Sequence, residues 1–357
     1  MAESSAARAR RYRAAQQAKR RLEYPDQVIG YWKESMRSRI DATKKLVSFR
    51  ACRGDMHGHS TFSDGVGTVA EIKRFVDSAG LDFYFLTDHQ TVAQKRLCVK
   101  YKNFWWGQEP GTQHQHLGIL NIDRAYRPKH DLAYDYNRVK ELGGFPFIPH
   151  PTGWFRHPFS QEQIDALDLL GEEFTIEIIN GANQIYNCFD ETDAHAIVVW
   201  DHHLCQGKRV VAIGNTDAHL PQAVGDVWTG VFCPRLTKKN VIDALWQGHC
   251  FVSDAPLLNL CCGNANMGDV VRKKKGANLT LRGECADSYG LATIRIIKDG
   301  KVFDEIDAGG KQKFRTTIND TFNGGKSYYR LECFARDDRR AYSNPIYVWD
   351  RALPLTP

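Results

Sequence analysis

The sequence predicts an α/β protein: a parallel sheet closed or nearly closed into a barrel over residues 46–254, then a small antiparallel β-sandwich over 255–357. A basic helical arm, residues 1–45, precedes both. Three observations carry this reading. Short apolar runs alternate with amphipathic stretches from Val47 to about Ser253, the signature of strand–helix units. From Leu257 the pattern changes to short strands with turn signals and no helical period. Metal-capable side chains recur where the apolar runs stop, the end of a parallel sheet at which chemistry is usually held.

Taken in order, residues 3–44 are rich in Ala, Arg, Lys and Gln, so one or two helices broken near Pro25 are expected. Within residues 1–22, Arg8, Arg10, Arg11, Arg13, Lys19, Arg20 and Arg21 stand against Glu3 alone, and much of the net charge of +6 is local to this arm. Such an arm can meet nucleic acid or an anionic surface, although a solvated helix face is the commoner outcome. Leu46 to Cys52 can run as a short buried strand, and Val69 to Ala79 as a helix closed by Gly80. Leu132 to Leu142 repeats the helical spacing, Phe174 to Ile179 is a strand, and Asp190 to Gln206 a long helix. In the C-terminal part, Leu279 to Leu281 and Ala292 to Ile297 read as strands, with an Asp299-Gly300 turn into Val302-Phe303. Ser327 to Ala335 and Ala341 to Val348 form a second hairpin.

An apolar fraction of 42% over 357 residues supports two ordinary cores. No apolar run reaches the length of a membrane span and none near the N-terminus is of signal type, so a soluble, cytoplasmic protein is expected. The ten cysteines form no Cys-x-x-Cys pair, which removes a zinc knuckle or dithiol redox motif and fits reduced thiols.

The stretch Asp55 to Gly65 contains His57 and His59, two residues apart and so on one side of an extended backbone, with Asp64 returning after a turn. Two imidazoles and a carboxylate brought together in this way can ligate a divalent ion. The pattern returns as Asp88-His89 after Phe83 to Thr87, His150 after Phe147 to Pro149, and Asp217 with His219 after Val210 to Thr216. Glu109, His114 and His116 lie between. Glu177 sits on a strand among these and suits either orientation of a ligating imidazole or an ion pair. Asp55 and Asp88 suit supporting roles. Lys102, Arg156 and His157, in loops, are candidates for substrate anions. His130, His195, His202, His203 and His249 have no strand-end context and read as packing or surface residues.

In these motifs the chain resembles PHP-domain (polymerase and histidinol phosphatase) metallohydrolases, and more narrowly their CehA/McbA-like branch, over roughly residues 50–350. The resemblance implies a distorted (β/α)7 barrel followed by a β domain. It also implies a di- or trinuclear centre of Mn, Zn or Fe ligated by His57, His59, Asp64, His89, Glu109, His116, His150, Asp217 and His219. Pro110 departs from the family by ending the strand straight after Glu109, and His114 competes with His116, which the following Leu-Gly-Ile-Leu favours. The implied activity is hydrolysis by water activated between metal ions, with Glu109 bridging and Glu109, Asp217 and His219 catalytic. A phosphate ester is the first expectation for the substrate; a carboxylic ester, amide or carbamate is the alternative. A non-catalytic nucleic-acid-binding module using the basic arm is the reading from another class. No candidate ligand lies in residues 1–40, so their loss is expected to leave the site intact.

Overall fold

The computed structural model describes residues 26–112, 115–154, 157–182 and 184–354; His114, Arg156 and the basic stretch before Asp26 lie outside them. A helix, Asp26–Lys44, follows Pro25 directly. The first strand is Cys52–Asp55, later than the predicted Leu46 to Cys52. The displacement has a cause: Lys313 donates to the Leu46 carbonyl and the Ser48 amide donates to Glu284 at 3.0 Å. Those contacts hold residues 46–51 against C-terminal strands, and the ladder starts only beyond them. Helices Val69–Ala79, Leu132–Glu141, Glu191–Cys205 and Lys238–Gln247 each begin at a side-chain cap, from Thr68, Asp131, Asp190 and Thr237. No helix among the described residues is long and apolar enough to cross a membrane.

The central sheet is mixed. Cys52–Asp55, Phe83–Leu86 and Phe104–Gln108 pair in parallel. Trp228–Val231 runs antiparallel on one flank, and Gly118–Leu120 followed by Phe145–Phe147 antiparallel on the other. Glu173–Asn180 and Arg209–Asn215 make a separate parallel pair, joined just beyond Phe145–Phe147 by the isolated bridge between Ile148 and Ile176. The sheet is therefore not closed, and the distorted (β/α)7 barrel that the resemblance implies is not shown.

Two features explain why it stays open. Pro146 and Pro149 remove backbone donors around the Phe145–Phe147 strand, so its ladder cannot lengthen. On the other side, side chains take the place of a neighbouring strand along Arg209–Asn215. Asn344 donates to the Ala212 carbonyl at 2.9 Å and accepts from its amide at 2.8 Å, and the Thr229 hydroxyl does the same for Gly214 at 2.9 and 3.0 Å. The Tyr347 hydroxyl accepts from the Val210 amide at 3.1 Å. Backbone groups satisfied this way need no ladder.

Beyond Cys250–Ser253 the same sheet continues into the C-terminal part, because that strand pairs antiparallel with Arg340–Ser343. A second sheet of Leu257–Cys262, Asn278–Ala286, Lys313–Thr321 and Ala265–Asn266 packs Leu258, Leu260, Leu281 and Ile318 toward Ile294, Ile296, Leu331 and Val348. The pairing is antiparallel except where Val270–Lys273 joins Ile346–Asp350 in parallel. The Asp299-Gly300 turn has positive φ at both residues, 49° and 73°, as a tight hairpin requires. The predicted strand Ala341 to Val348 is in fact two, Arg340–Ser343 and Ile346–Asp350, broken at Asn344-Pro345 where Asn344 turns to its role at Ala212.

One buried cation ties the long helix to these strands. Arg330, 1% exposed, reaches both oxygens of Asp201, with Nε at 2.9 Å and Nη2 at 2.5 Å, and Glu332 with Nη1 at 2.6 Å. Its guanidinium also lies 5.0 Å from the Trp200 ring centroid. Removing one partner of a buried ion pair leaves the others uncompensated. Arg330→Met is accordingly expected to lower unfolding free energy by about 3–5 kcal/mol, read by urea denaturation.

Candidate metal centre

The centre forms where parallel strands end. After Asp55 the chain passes through Met56-His57-Gly58-His59; the Gly58 carbonyl accepts from Thr87 N at 2.9 Å, and His59 N donates to the Ala218 carbonyl at 2.9 Å. Gly58 is required there, because a Cβ would stand 2.0 Å from the Tyr84 hydroxyl oxygen. Asp88 accepts from Ser60 N (2.7 Å) and Ser63 Oγ (2.7 Å), which holds the loop carrying Asp64. Glu109 follows Phe104–Gln108 and bridges to His89. His150 and Asp217 adopt positive φ, 33° and 47°, a strained conformation that the surrounding contacts must fix.

Three groups of ligand atoms result, each within 4.8 Å: His57, His59, Glu109 and Asp217; Glu109, His116 and His150; and Asp64, His89 and His219 with His59. In the first group His57 Nε2 and His59 Nε2 are 3.3 Å apart. Both stand 3.0 to 3.3 Å from Glu109 Oε2 and Asp217 Oδ1. A tetrahedron whose vertices lie ~2.0–2.1 Å from its centre has edges of roughly 3.3–3.4 Å, and these five separations come near that spacing. Asp217 Oδ1 is buried without a hydrogen-bond partner, as is His150 Nδ1 in the second group. An orphaned carboxylate oxygen beside two imidazole nitrogens fits a cation.

Tautomers are set from outside the groups. His57 Nδ1 lies 3.2 Å from Glu177 Oε1, which leaves Nε2 as the lone pair facing inward. His89 Nδ1 and His219 Nδ1 lie 3.0 Å from the Glu109 and Asp217 carbonyls, leaving each Nε2 toward Asp64. A neutral imidazole has one lone pair. His59, spent on the first group through Nε2, completes four protein ligands there and leaves three in each of the others. Groups with three protein ligands keep a position for water or substrate.

Glu177 also accepts from His150 N (3.0 Å), Asn180 Nδ2 (2.7 Å) and Asn215 Nδ2 (2.8 Å), and Asn180 Nδ2 reaches Asp217 Oδ2 at 3.4 Å. Asn180 and Asn215 were not singled out by sequence. Their signal was position, each at the end of an apolar strand, but a search for ligands passes over amides. Asp55 accepts from Thr216 N at 3.1 Å and touches no ligand atom group. His157 lies at the rim, its ring 5.8 Å from Trp154, which in turn is 5.1 Å from His150. Lys102 is misplaced by the sequence reading. It precedes Phe104–Gln108 while Glu109 follows it, and at ~3.3 Å per residue the strand puts them at opposite ends. His203 is buried edge-on to Phe174 at 5.2 Å, and His195 and His202 are exposed. His249 pairs with Asp269 at 2.9 Å, away from the three groups.

Charge follows geometry. Burial opposes a proton on His57 and His59, but Asp217 and Glu109 outweigh it, raising His57 well above the usual imidazole range and His59 to about 10. Burial likewise opposes ionisation of Glu109, Asp217 and Asp64, yet the surrounding imidazoles hold all three below the usual carboxylate range. His89 is lowered, chiefly by burial.

No family model and no curated protein matches the chain. Among solved structures it is similar to a two-domain protein from Bacteroides vulgatus ATCC 8482 that contains a predicted PHP-like metal-dependent phosphoesterase. That likeness has 18% identity, covers 84% of this chain and 96% of the other, and has a TM-score of 0.46. It is similar also to PsfC from Pseudomonas syringae PB-5123 (13% identity, 56% and 88% covered, TM-score 0.40). A third is the lesion-specific endonuclease PfuEndoQ from Pyrococcus furiosus (15% identity, 55% and 56% covered, TM-score 0.40). At these scores none of them carries the chemical argument, which rests on the side chains described above.

Without metal, His57 and His59 stabilise the fold as cations. That contribution is complete below the unfolded imidazole value near ~6.5 and, for His59, is lost as pH rises through about 10. Ligation needs neutral imidazole, so metal must displace these protons. Loading metal-free protein with Zn²⁺ in weak buffer at about pH 8 is expected to release on the order of one to two protons per chain, and occupancy should fall as pH drops. A pH-stat titration showing no release would remove these histidines from the ligand set.

Proposed function

We propose that this chain is a metal-dependent hydrolase of phosphate esters, with residues 46–254 holding a di- or trinuclear centre and 255–357 supporting it. On the sequence resemblance we place it among PHP-type metallohydrolases, in the CehA/McbA-like branch. The observation that carries the reading is the division of Glu109. Its Oε2 stands 3.1 to 3.2 Å from His57, His59 and His89, while its Oε1 stands 2.9 Å from His116 and 3.1 Å from His150. One carboxylate offers each oxygen to a different ligand group, so Glu109 would serve two groups at once if both held an ion.

Divalent ions, when bound, supply a water of lowered pKa and neutralise negative charge developing on the substrate. The protein residues supply placement. Glu177 fixes the His57 tautomer, Asn180 steadies Asp217, and the buried His57, His59 and Glu109 form a floor closed to solvent. Side chains of Asp64, His89, His116 and His219, between 26% and 55% exposed, form the mouth where substrate enters. His219 Nε2, 3.3 Å from Asp64 Oδ2, presents its lone pair at this mouth.

Charge favours phosphate over a neutral ester. With three divalent ions bound, the three ligand carboxylates would offset only half of their charge, and a positive excess would remain even with Glu177, so such a centre would attract a dianion. The basic stretch behind the nucleic-acid reading lies outside the described residues and adds nothing to it.

Protein loaded with Mn²⁺, Fe²⁺ or Zn²⁺ is expected to turn over an aryl phosphate faster than the matching aryl acetate; the reverse order would transfer the assignment to carboxylic esters. Glu109→Gln keeps size and one oxygen but loses the bridging charge, and turnover should fall by about 10²–10³. Circular dichroism should remain unchanged. His195→Ala, exposed and away from the centre, should match wild type. Glu109→Gln turning over at that control's rate with full metal content would end the bridging mechanism.

A further inference from the structure

Lys33, on the helix Asp26–Lys44, is 1% exposed, and its Nζ donates to Asp226 Oδ1 at 2.6 Å and to the Val224 carbonyl at 2.7 Å. Between those two residues stands Gly225, with φ +80° and no room for a side chain, since a Cβ would meet that of Ala79 at 2.8 Å. The Gly225 amide donates to Asp55 Oδ2 at 3.2 Å. Asp55, fully buried, takes its remaining bonds from the Thr216 amide at 3.1 Å, the Thr216 hydroxyl and the His57 amide at 3.5 Å. Thr216 immediately precedes Asp217, whose φ of +47° lies in the left-handed region that residues other than glycine seldom occupy, although Asp enters it more often than most.

We propose that Lys33 is a positioning residue for Asp217, making the N-terminal helix a working part of the metal centre. The inference rests on the metal-centre reading above. Asp217 is a β-carbon-bearing residue in a left-handed conformation, and such a backbone persists only where its surroundings over-determine it. Its amino-terminal neighbour is fixed by Asp55, and one of the donors to Asp55 is presented by the loop that Lys33 clamps on both sides of Gly225. Asp55 also receives the His57 amide, so two ligands of the four-residue group share this support. A lysine placed only to neutralise Asp226 would need no bond to the Val224 carbonyl. That bond fixes the direction of the Gly225 amide. Removing residues 1–40 would therefore take away a support of the centre, although none of the candidate ligands lies within them.

The test uses the full-length protein, its Lys33→Met variant, and Lys33→Met combined with Asp226→Asn. The double variant removes the unpaired buried carboxylate that the single variant creates, yet leaves Val224 unclamped. Each is titrated with Co²⁺ alone, reading affinity and the visible absorption of the bound ion, and unfolded with urea. Lys33→Met is expected to weaken the tightest cobalt site by about 10–100-fold and alter its spectrum. The double variant should regain most of the wild-type urea midpoint while keeping the weakened affinity and altered spectrum. Recovery of affinity and spectrum together with stability would reduce Lys33–Asp226 to a structural ion pair and overturn the proposal, as would wild-type cobalt binding in the folded single variant. If Lys33→Met does not fold, the double variant decides alone. Wild type that takes up no cobalt would overturn the metal centre itself, and this inference with it.

Discussion

The structure depends on keeping one carboxylate ionised where water cannot reach it. Glu109 is 1% exposed and stands among five imidazoles, and an isolated charge in such a place would cost several kcal/mol. Imidazolium protons meet that demand in the metal-free protein, and divalent ions would meet it with better geometry. Strand ends, loops and tautomers around it are arranged to one purpose, bringing nitrogen lone pairs toward its two oxygens. The same need explains backbone strain at His150 and Asp217, where direction of the side chain outweighs conformational ease.

Around the ligands lies a layer of residues that touch no ion position but decide where the ligands point. Glu177 gathers four donors, from His57, His150, Asn180 and Asn215, and so joins four strand ends. Asp88 pins the loop of Asp64, and Asp55 joins Thr216 to the first strand. Each of these carboxylates is buried and fully engaged, which is why none is free to bind an ion. Local order at the site therefore extends outward to packing contacts in the C-terminal strands and the N-terminal helix.

The open sheet is part of the same economy of backbone groups. A strand edge left bare in the interior would carry unpaired amides, and here Asn344, Thr229 and Tyr347 satisfy them one at a time. Two of these come from the C-terminal strands. The C-terminal part thus completes a strand of the site-bearing sheet, and Arg330 clamps the helix that precedes that strand.

Much of the candidate site was legible in the sequence, because a ligand's position at the end of an apolar strand is a local property. His57-x-His59, Asp88-His89, His150 and Asp217-x-His219 announce themselves by residue type and by where alternation stops. Glu109 was legible for the same reason, with Pro110 marking its strand end. What only tertiary structure decided is which atoms face each other: that Glu109 divides its oxygens, that His59 is committed to one group, that Lys102 stands at the wrong end of its strand. The open sheet was also beyond the sequence, since a periodic pattern specifies a strand but not whether its second edge meets a backbone or a side chain from 132 residues away. Lys33 shows the limit most clearly. One lysine in a polar helix is indistinguishable from its solvated neighbours until folding buries it against Val224 and Asp226, because burial is a property of what arrives from elsewhere in the chain.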